Sequence, residues 1–112
     1  MQTMMKSQEE TENLTVNNIQ WIEDWYKNEC NGDWEHTYGI SIQTIDNPGW
    51  MIQIDLQDTS LENLHIDPEK AEISDFDWYA VQIKDKKFTA AGDPAKFNFL
   101  LGKFRELATK AV

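Results

Sequence analysis

Apolar residues at helical spacing come first along the chain. In NNIQWIEDWYKNEC, residues 17–30, Ile19, Ile22 and Tyr26 lie three and four positions apart, as on one face of an amphipathic helix. Asn31-Gly32 follows directly, and glycine at this point ends helices because it readily adopts the left-handed backbone conformation. The pattern predicts a first helix over residues 17–30, with Cys30 in its last turn and Gly32 as its stop.

Two segments with a period of two come next. TYGISIQTI, residues 37–45, and WMIQIDL, residues 50–56, alternate apolar and polar positions, which predicts half-buried strands. Between them, DNPGW places Pro48 and Gly49 as the central pair of a type II turn. Asp55 falls on the polar face of the second strand. We therefore expect a β-hairpin here.

The rest of the chain predicts further strands and a closing helix. TSLENLHIDPEK, residues 59–70, is interpreted as a connecting loop. Short strands are then expected at residues 71–74, 78–83 and 88–91. The last segment, residues 93–111, carries Phe and Leu at helical spacing, with Asp93 as its N-cap and Pro94 in its first turn.

These elements predict an α+β fold in a single domain. We expect an antiparallel β-sheet of about four to five strands flanked by an N-terminal and a C-terminal helix. Residues 1–15 are polar and lack periodicity, so they are interpreted as a disordered or frayed arm, which leaves residues 16–112 as the domain. A chain of 112 residues is long enough for a modest single core.

The charge is acidic and unevenly distributed. The net charge is −10, and residues 17–77 hold fourteen acids against two lysines, a net of −12, whereas residues 78–112 hold three acids and seven bases, a net of +4. So acidic a block is repelled by phosphate backbones, and we expect no nucleic-acid partner. It suits a basic protein partner. The alternative is a solvated acidic surface that serves solubility.

Neither a secretory signal nor a membrane segment is predicted. The first residues, MQTMMKSQEETENLTVNN, contain no apolar stretch, and no apolar run is long enough to span a bilayer. The single cysteine, Cys30, excludes an intramolecular disulfide. We expect a cytoplasmic protein with no membrane partner, and the sequence leaves its oligomeric state open.

The segment CNGDWEH, residues 30–36, concentrates the residues that could carry chemistry. Its Cys and His do not have zinc-ligand spacing, and its two carboxylates offer too few oxygens for calcium. Neighbours on a strand point to opposite faces, which disfavours a shared acid–base site at Glu35 and His36. We expect no catalytic residue, metal or cofactor, and we expect His36 to begin the strand and fix the turn by hydrogen bonding. The alternative is a small-molecule-binding or metal-dependent hydrolytic enzyme that uses Glu35 and His36.

Acidic and aromatic residues are interleaved in and beside the predicted turns. A surface of acids and exposed aromatic rings is the composition expected for binding a basic protein. The acids are Asp33, Glu35, Asp46, Asp55, Asp58, Asp75 and Asp77, and the rings are Trp34, Trp50, Phe76 and Trp78.

The segment from Trp21 to Leu56 resembles the immunity protein 53 family of bacterial polymorphic toxin systems. The resemblance rests on an aromatic first helix that ends in Cys-x-Gly-Asp-Trp-Glu-His, a Tyr-Gly strand, and an Asp-Asn-Pro-Gly-Trp turn before Ile-x-Ile-Asp-Leu. It implies a non-catalytic cytoplasmic protein that binds and neutralises a cognate toxin. The acidic charge adds the hypothesis that this toxin is basic and possesses a nuclease domain.

The motif positions divide into expected contacts and expected structural residues. The exposed acidic and aromatic tip of residues 33–35 is the first choice for a toxin contact. The partner-binding residues are predicted to be Asp33, Trp34, Glu35, Asp46, Trp50 and Asp55. The structural residues are predicted to be Cys30, Gly32, His36, Tyr38, Gly39, Asn47, Pro48 and Gly49.

Overall fold

The computed structural model describes residues 18–110, which form two helices and five strands. Helix α1 covers residues 18–29, and a single 3-10 turn, Trp34–His36, precedes the sheet. The later elements are β1 (Ile40–Ile45), β2 (Gly49–Asp55), β3 (Ile66–Ser74), β4 (Asp77–Lys84), β5 (Lys87–Gly92) and α2 (Phe97–Lys110). The predicted α+β fold is confirmed. The arm predicted for residues 1–15 lies outside the described residues.

All five strands belong to one antiparallel sheet in the order β1-β2-β5-β4-β3. The chain crosses from β2 to the far edge and returns through β4 and β5, so that β1 and β3 become the two edges. The β4–β5 connection is a two-residue turn in which Asp85 and Lys86 both have positive φ angles, 55° and 62°. This is the type I′ geometry, which matches the twist of a tight hairpin.

Both helices pack on one face of the sheet. Ile52 and Ile54 of β2, fully buried, meet Phe104 of α2 in the same core cluster. Trp21 and Trp25 of α1 stack edge-on against Phe104, with ring centroids 5.8 and 5.1 Å away. The alternation predicted for β2 is therefore confirmed. Within residues 18–110, no helix is both long and apolar enough to cross a membrane.

The segment predicted to be a loop before residue 71 is partly strand. Strand β3 begins at Ile66 and includes Pro68, where the sequence reading placed a connection. Proline is tolerated because β3 is an edge strand, and its pairing with β4 is interrupted between Ile66 and Glu69. Because of the proline and this interruption, residues 66–70 lack the alternation of apolar and polar residues that predicts a strand.

The prediction for the start of α2 is also wrong. Asp93 and Pro94 lie in a turn before the helix, which begins at Phe97. The Asp93 carboxylate accepts the N–H of Ala95 (2.8 Å), and the Asp93 carbonyl accepts the N–H of Lys96 (3.0 Å). Asp93 thus caps this turn rather than the helix.

The β1–β2 connection differs from the predicted type II turn. A type II turn with Pro48 and Gly49 at its centre needs a positive φ at Gly49, but Gly32 is the only glycine of residues 18–110 with a positive φ. The Asn47–Pro48 peptide bond is cis, and Gly49 already belongs to β2. The hairpin itself is confirmed by the pairing of β1 with β2.

Candidate partner-binding surface

Helix α1 ends near Cys30 and Gly32 as the sequence predicts, and the Glu35 side chain adds hydrogen bonds to the loop that follows. The backbone N–H of Cys30 donates to the carbonyls of Tyr26 and Lys27, and Gly32 has a φ of 90°. The Glu35 carboxylate then accepts the N–H groups of Asn31 (2.9 Å) and Gly32 (2.7 Å). Its own backbone N–H, together with those two, lowers the pKa of Glu35. Glu35 therefore holds the loop together, a role that the sequence reading did not assign to it.

Trp34 is buried, so the expectation of an exposed tip at residues 33–35 is wrong for this ring. Only 4% of its surface is exposed. The ring stacks edge-on against Trp25 and Tyr26, both at 6.0 Å, and its indole N–H donates to the Gln57 carbonyl (2.9 Å). A ring held by this many contacts supports the fold, and Asp33 is the exposed member of the predicted tip.

The strand entrance is fixed by Asp55 and not by His36. His36 lies in the 3-10 turn, exposed, and its side chain makes no hydrogen bond to any of residues 18–110. The N–H of Gly39 donates to the Asp55 carboxylate (3.0 Å), and the N–H of Asp55 donates to the Gly39 carbonyl (3.1 Å). Tyr38 covers Trp34 at 6.4 Å. The prediction that His36 begins the strand and fixes the turn is wrong.

Trp50 also serves the fold. Its indole N–H donates to the Pro94 carbonyl (3.0 Å), and its ring packs on Phe97 with centroids 4.7 Å apart. These contacts tie β2 to the start of α2. By contrast, Asp46, Asn47 and Pro48 in the β1–β2 turn are exposed.

A groove of about 630 Å³ opens beside that turn. We call it the turn-end groove. It lies where the β1–β2 turn, the β3–β4 hairpin and the segment before α2 meet. Its lining residues are Asn47, Pro48, Glu72, Ser74, Asp75, Phe76, Trp78 and Pro94. Asp75, Phe76 and Trp78 belong to the interleaved acidic and aromatic residues of the sequence, but they were not among the predicted partner-binding residues.

Strands β2 and β5 make a close backbone contact next to Trp78, which lines the groove. A Cβ atom at Gly49 would overlap the carbonyl oxygen of Gly92 and would lie 3.3 Å from the ring of Trp78. Gly49 is therefore required by this close approach rather than by a turn conformation. The prediction that Gly49 is structural now has a specific physical reason.

A buried carboxylate links the groove to the segment before α2. Asp93, 1% exposed, accepts the backbone N–H of Trp78 (2.9 Å) and pairs with the Lys96 ammonium (2.6 Å). Lys96 also pairs with Asp77 (2.7 Å). The Lys96 ammonium and then the N–H groups of Trp78 and Ala95 lower the pKa of Asp93 to about 2. These charged contacts hold Asp77 and Trp78, the first residues of β4, to the segment before α2.

The groove and the residues next to its lining in the sequence include apolar side chains in water and acids without basic partners. Phe76 is 87% exposed and Ile73 is 74% exposed, the two largest values among the bulky apolar residues of the described chain. Asp46, Glu72 and Asp75 form no ion pair with any of residues 18–110. An exposed ring beside uncompensated carboxylates is suited to contact a basic protein surface.

The alternative enzyme was expected to use Glu35 and His36, and these side chains are not hydrogen-bonded to each other in the described residues. No group of three or more His, Cys, Asp and Glu side chains within residues 18–110 is placed to hold a metal ion. The carboxylate of Glu35 accepts two backbone N–H groups. The side chain of His36 is exposed and forms no hydrogen bond with that carboxylate. Neither residue lines the turn-end groove.

The described residues form a small α+β fold with an acidic and aromatic surface, and comparison gives the family. Residues 19–109 match the family model of immunity protein 53. The match covers most of the chain, which belongs to this family and is therefore an immunity protein against a toxin. The resemblance noted in the sequence is confirmed. Family membership also favours a binding protein over an enzyme. No curated protein and no solved structure matches the chain.

Proposed function

We propose that the protein neutralises a basic toxin domain in the cytoplasm by binding it through the turn-end groove. The observation that carries this proposal is the exposure of Phe76, which is 87% exposed and lines the same groove as Glu72 and Asp75. An exposed aromatic ring gives a large contact area at little entropic cost and is a common anchor of protein interfaces. The surrounding acids select a partner of opposite charge.

Charge and burial have separate roles in this proposal. The net charge of −10 attracts a basic toxin from a distance and raises the association rate, an effect that salt screens. Phe76 then becomes buried against the toxin and slows dissociation. A toxin domain with a basic, phosphate-binding cleft, as in a nuclease, fits this surface because the carboxylates imitate the charge of nucleic acid.

The contact residues predicted from the sequence are revised accordingly. Asp46 stays in the proposed surface because it is exposed in the turn beside the groove. Asp33 is exposed as well and remains a proposed contact outside the groove. We propose that the other members act by holding the fold, through the contacts described above. They are Trp34, Glu35, Trp50 and Asp55.

The first test is a quantitative pull-down from the native strain with tagged protein, at low and at high salt. We expect one stoichiometric basic partner, the toxin, whose recovery falls as salt rises. A complex that is insensitive to salt would contradict the charge mechanism. Recovery of no partner from cells that express the cognate toxin would contradict the proposal for this surface.

Variants of the groove then locate the contact. Phe76→Ala removes a ring that touches little of its own chain, and we expect it to weaken toxin binding about 30-fold or more, as for an interface anchor. Asp75→Asn should weaken binding mainly through slower association. Asp58→Asn is the matched control, because Asp58 is an exposed acid in a distant loop with a φ of 62°, which asparagine also adopts. Equal effects of the two Asp→Asn changes would exclude the groove as the contact.

A further inference from the structure

Within residues 18–110, the edge strand β1 lacks the charges, prolines and register shifts that often protect an edge strand. ISIQTI, residues Ile40–Ile45, contains no charged residue and no proline, and its register with β2 runs without interruption. At the other edge, β3 contains Pro68, acids and a lysine, and two register shifts. Edges without such features pair readily with further strands.

The outward backbone groups of β1 can be identified from its register. Asp55 and Gly39 form a hydrogen-bonded pair just before β1, and such pairs alternate along antiparallel strands. Residues 41, 43 and 45 therefore direct their N–H and C=O groups to β2. Ile40, Ile42 and Thr44 direct theirs away from the sheet, where no strand of residues 18–110 pairs with them.

Apolar side chains lie beside this open ladder. A groove of about 510 Å³ separates β1 from α1 and is lined by Ile22, Tyr26, Ile40 and Ile42, with Glu23 as its charged member. Ile42 is 45% exposed and Tyr26 is 38% exposed. The edge thus offers hydrogen-bonding groups and apolar surface together.

We propose that β1 pairs with β1 of a second copy of this chain, antiparallel, about a two-fold axis at Ile42. In this register Ile42 faces Ile42 of the second copy, and Ile40 faces Thr44. All three residues direct their backbone groups outward, so each facing pair exchanges two hydrogen bonds. The pairing extends the sheet across both copies and covers the exposed side of Ile42.

The charge distribution favours a second copy over a basic partner at this edge. A basic strand laid along β1 would meet no carboxylate on the strand and Glu23 alone in the groove. A neutral strand pairs with itself without placing like charges opposite each other. Because each copy carries −10, the remaining repulsion is long-range and is screened by salt. Added salt should therefore strengthen this dimer, the reverse of its effect on toxin binding.

The size of the contact sets the expected affinity. Six residues span about 20 Å, and a sheet and helix layer together are about 20 Å deep, so pairing buries about 800 Å² in total. This is below the roughly 1,200 Å² of stable interfaces, and we expect a dissociation constant of about 10 to about 100 μM.

Sedimentation of the purified chain between about 1 and about 500 μM tests the dimer, with two matched variants. Ile42→Lys places two ammonium groups opposite each other on the axis, and we expect it to raise the dissociation constant at least about tenfold. Ile73→Lys makes the same change at an exposed isoleucine of the other edge, and it should leave the dimer unchanged. A chain that stays monomeric at the highest concentration, or equal effects of the two variants, would overturn the proposal.

Hydrogen exchange distinguishes the other occupants of the edge. The amides of Ile40, Ile42 and Thr44 should gain protection as the protein concentration rises. Protection that does not depend on concentration would mean that another segment of the same chain covers β1. Protection that arises only when the toxin is added would mean that the toxin supplies the added strand. Either result would overturn the second copy as occupant. The second would also add a toxin contact at β1, outside the residues that line the turn-end groove.

Discussion

Two short segments of nearly the same composition have opposite positions in the folded protein. Asp33-Trp34-Glu35 and Asp75-Phe76-Asp77 each place an aromatic ring between two acids. Trp34 is 4% exposed and Phe76 is 87% exposed. The difference arises from the contacts that each segment makes with its surroundings, so composition alone does not identify a binding surface.

The backbone of the first segment turns its ring inward. The side-chain oxygen of Asn31 accepts the N–H groups of Asp33 and Trp34, both at 2.9 Å, while Glu35 accepts those of Asn31 and Gly32. This closed loop directs Trp34 beneath the end of α1. In the second segment, the Phe76 N–H donates to the Ser74 hydroxyl (3.1 Å) and Asp77 pairs with Lys96 (2.7 Å), and these contacts leave the Phe76 ring in water.

The largest expected effect is that of Trp34→Ala on stability. The change removes a buried ring and its hydrogen bond to Gln57, and we expect it to lower the free energy of unfolding by about 3 to 5 kcal/mol. Urea unfolding followed by circular dichroism measures this value.

Trp34→Phe keeps most of the buried area and serves as the measurable companion if the alanine variant does not fold. It should lose about 1 kcal/mol, mainly the indole hydrogen bond. If Trp34→Ala cost less than about 1 kcal/mol, the contrast between the two segments would not hold.

Local patterns predicted the parts of the fold that depend on local spacing. The alternation along β2 placed Ile52 and Ile54 in the core, and the helical stripe of α2 placed Leu100 and Phe104 there. Gly32 was recognised as the stop of α1 because its left-handed conformation is a property of the residue itself. Each of these follows from a few adjacent positions.

The features that were missed depend on contacts between distant residues. Asp93 reads as a helix cap in the sequence, yet its carboxylate is engaged by Trp78 of another strand. Trp50 reads as a contact residue, yet its indole N–H is used by Pro94. The exposure of Phe76 could not be predicted from the sequence, because the residues adjacent to a ring do not show whether it packs against another part of the chain.

The second expected effect is a loss of stability at low pH. Asp93, beneath the groove, has a pKa of about 2, below the value near 3.9 of an unfolded aspartate. The unfolded chain therefore takes up this proton first as the pH falls. The stabilisation from Asp93 is complete above about pH 4, declines below it, and is lost as the pH falls through about 2.

Unfolding measured in urea across this pH range checks the Asp93 contribution. Asp93→Asn should lower the stability at neutral pH and remove its part of the acid-dependent decline. Asp75→Asn, on the exposed rim of the same groove, is the control and should leave the decline in place. An unchanged acid profile for Asp93→Asn would contradict the role assigned to the network with Lys96.

The smallest expected effect completes the comparison with Trp34. Phe76→Ala should change the free energy of unfolding by less than about 0.5 kcal/mol, because the ring is 87% exposed and little of its surface is buried on folding. The same urea titration as for Trp34→Ala measures it, so the two aromatic substitutions are compared directly. A loss above about 1 kcal/mol would mean that the ring packs against its own chain in solution. The turn-end groove would then lack its exposed anchor, and the proposed toxin contact would have to rest on the acids alone.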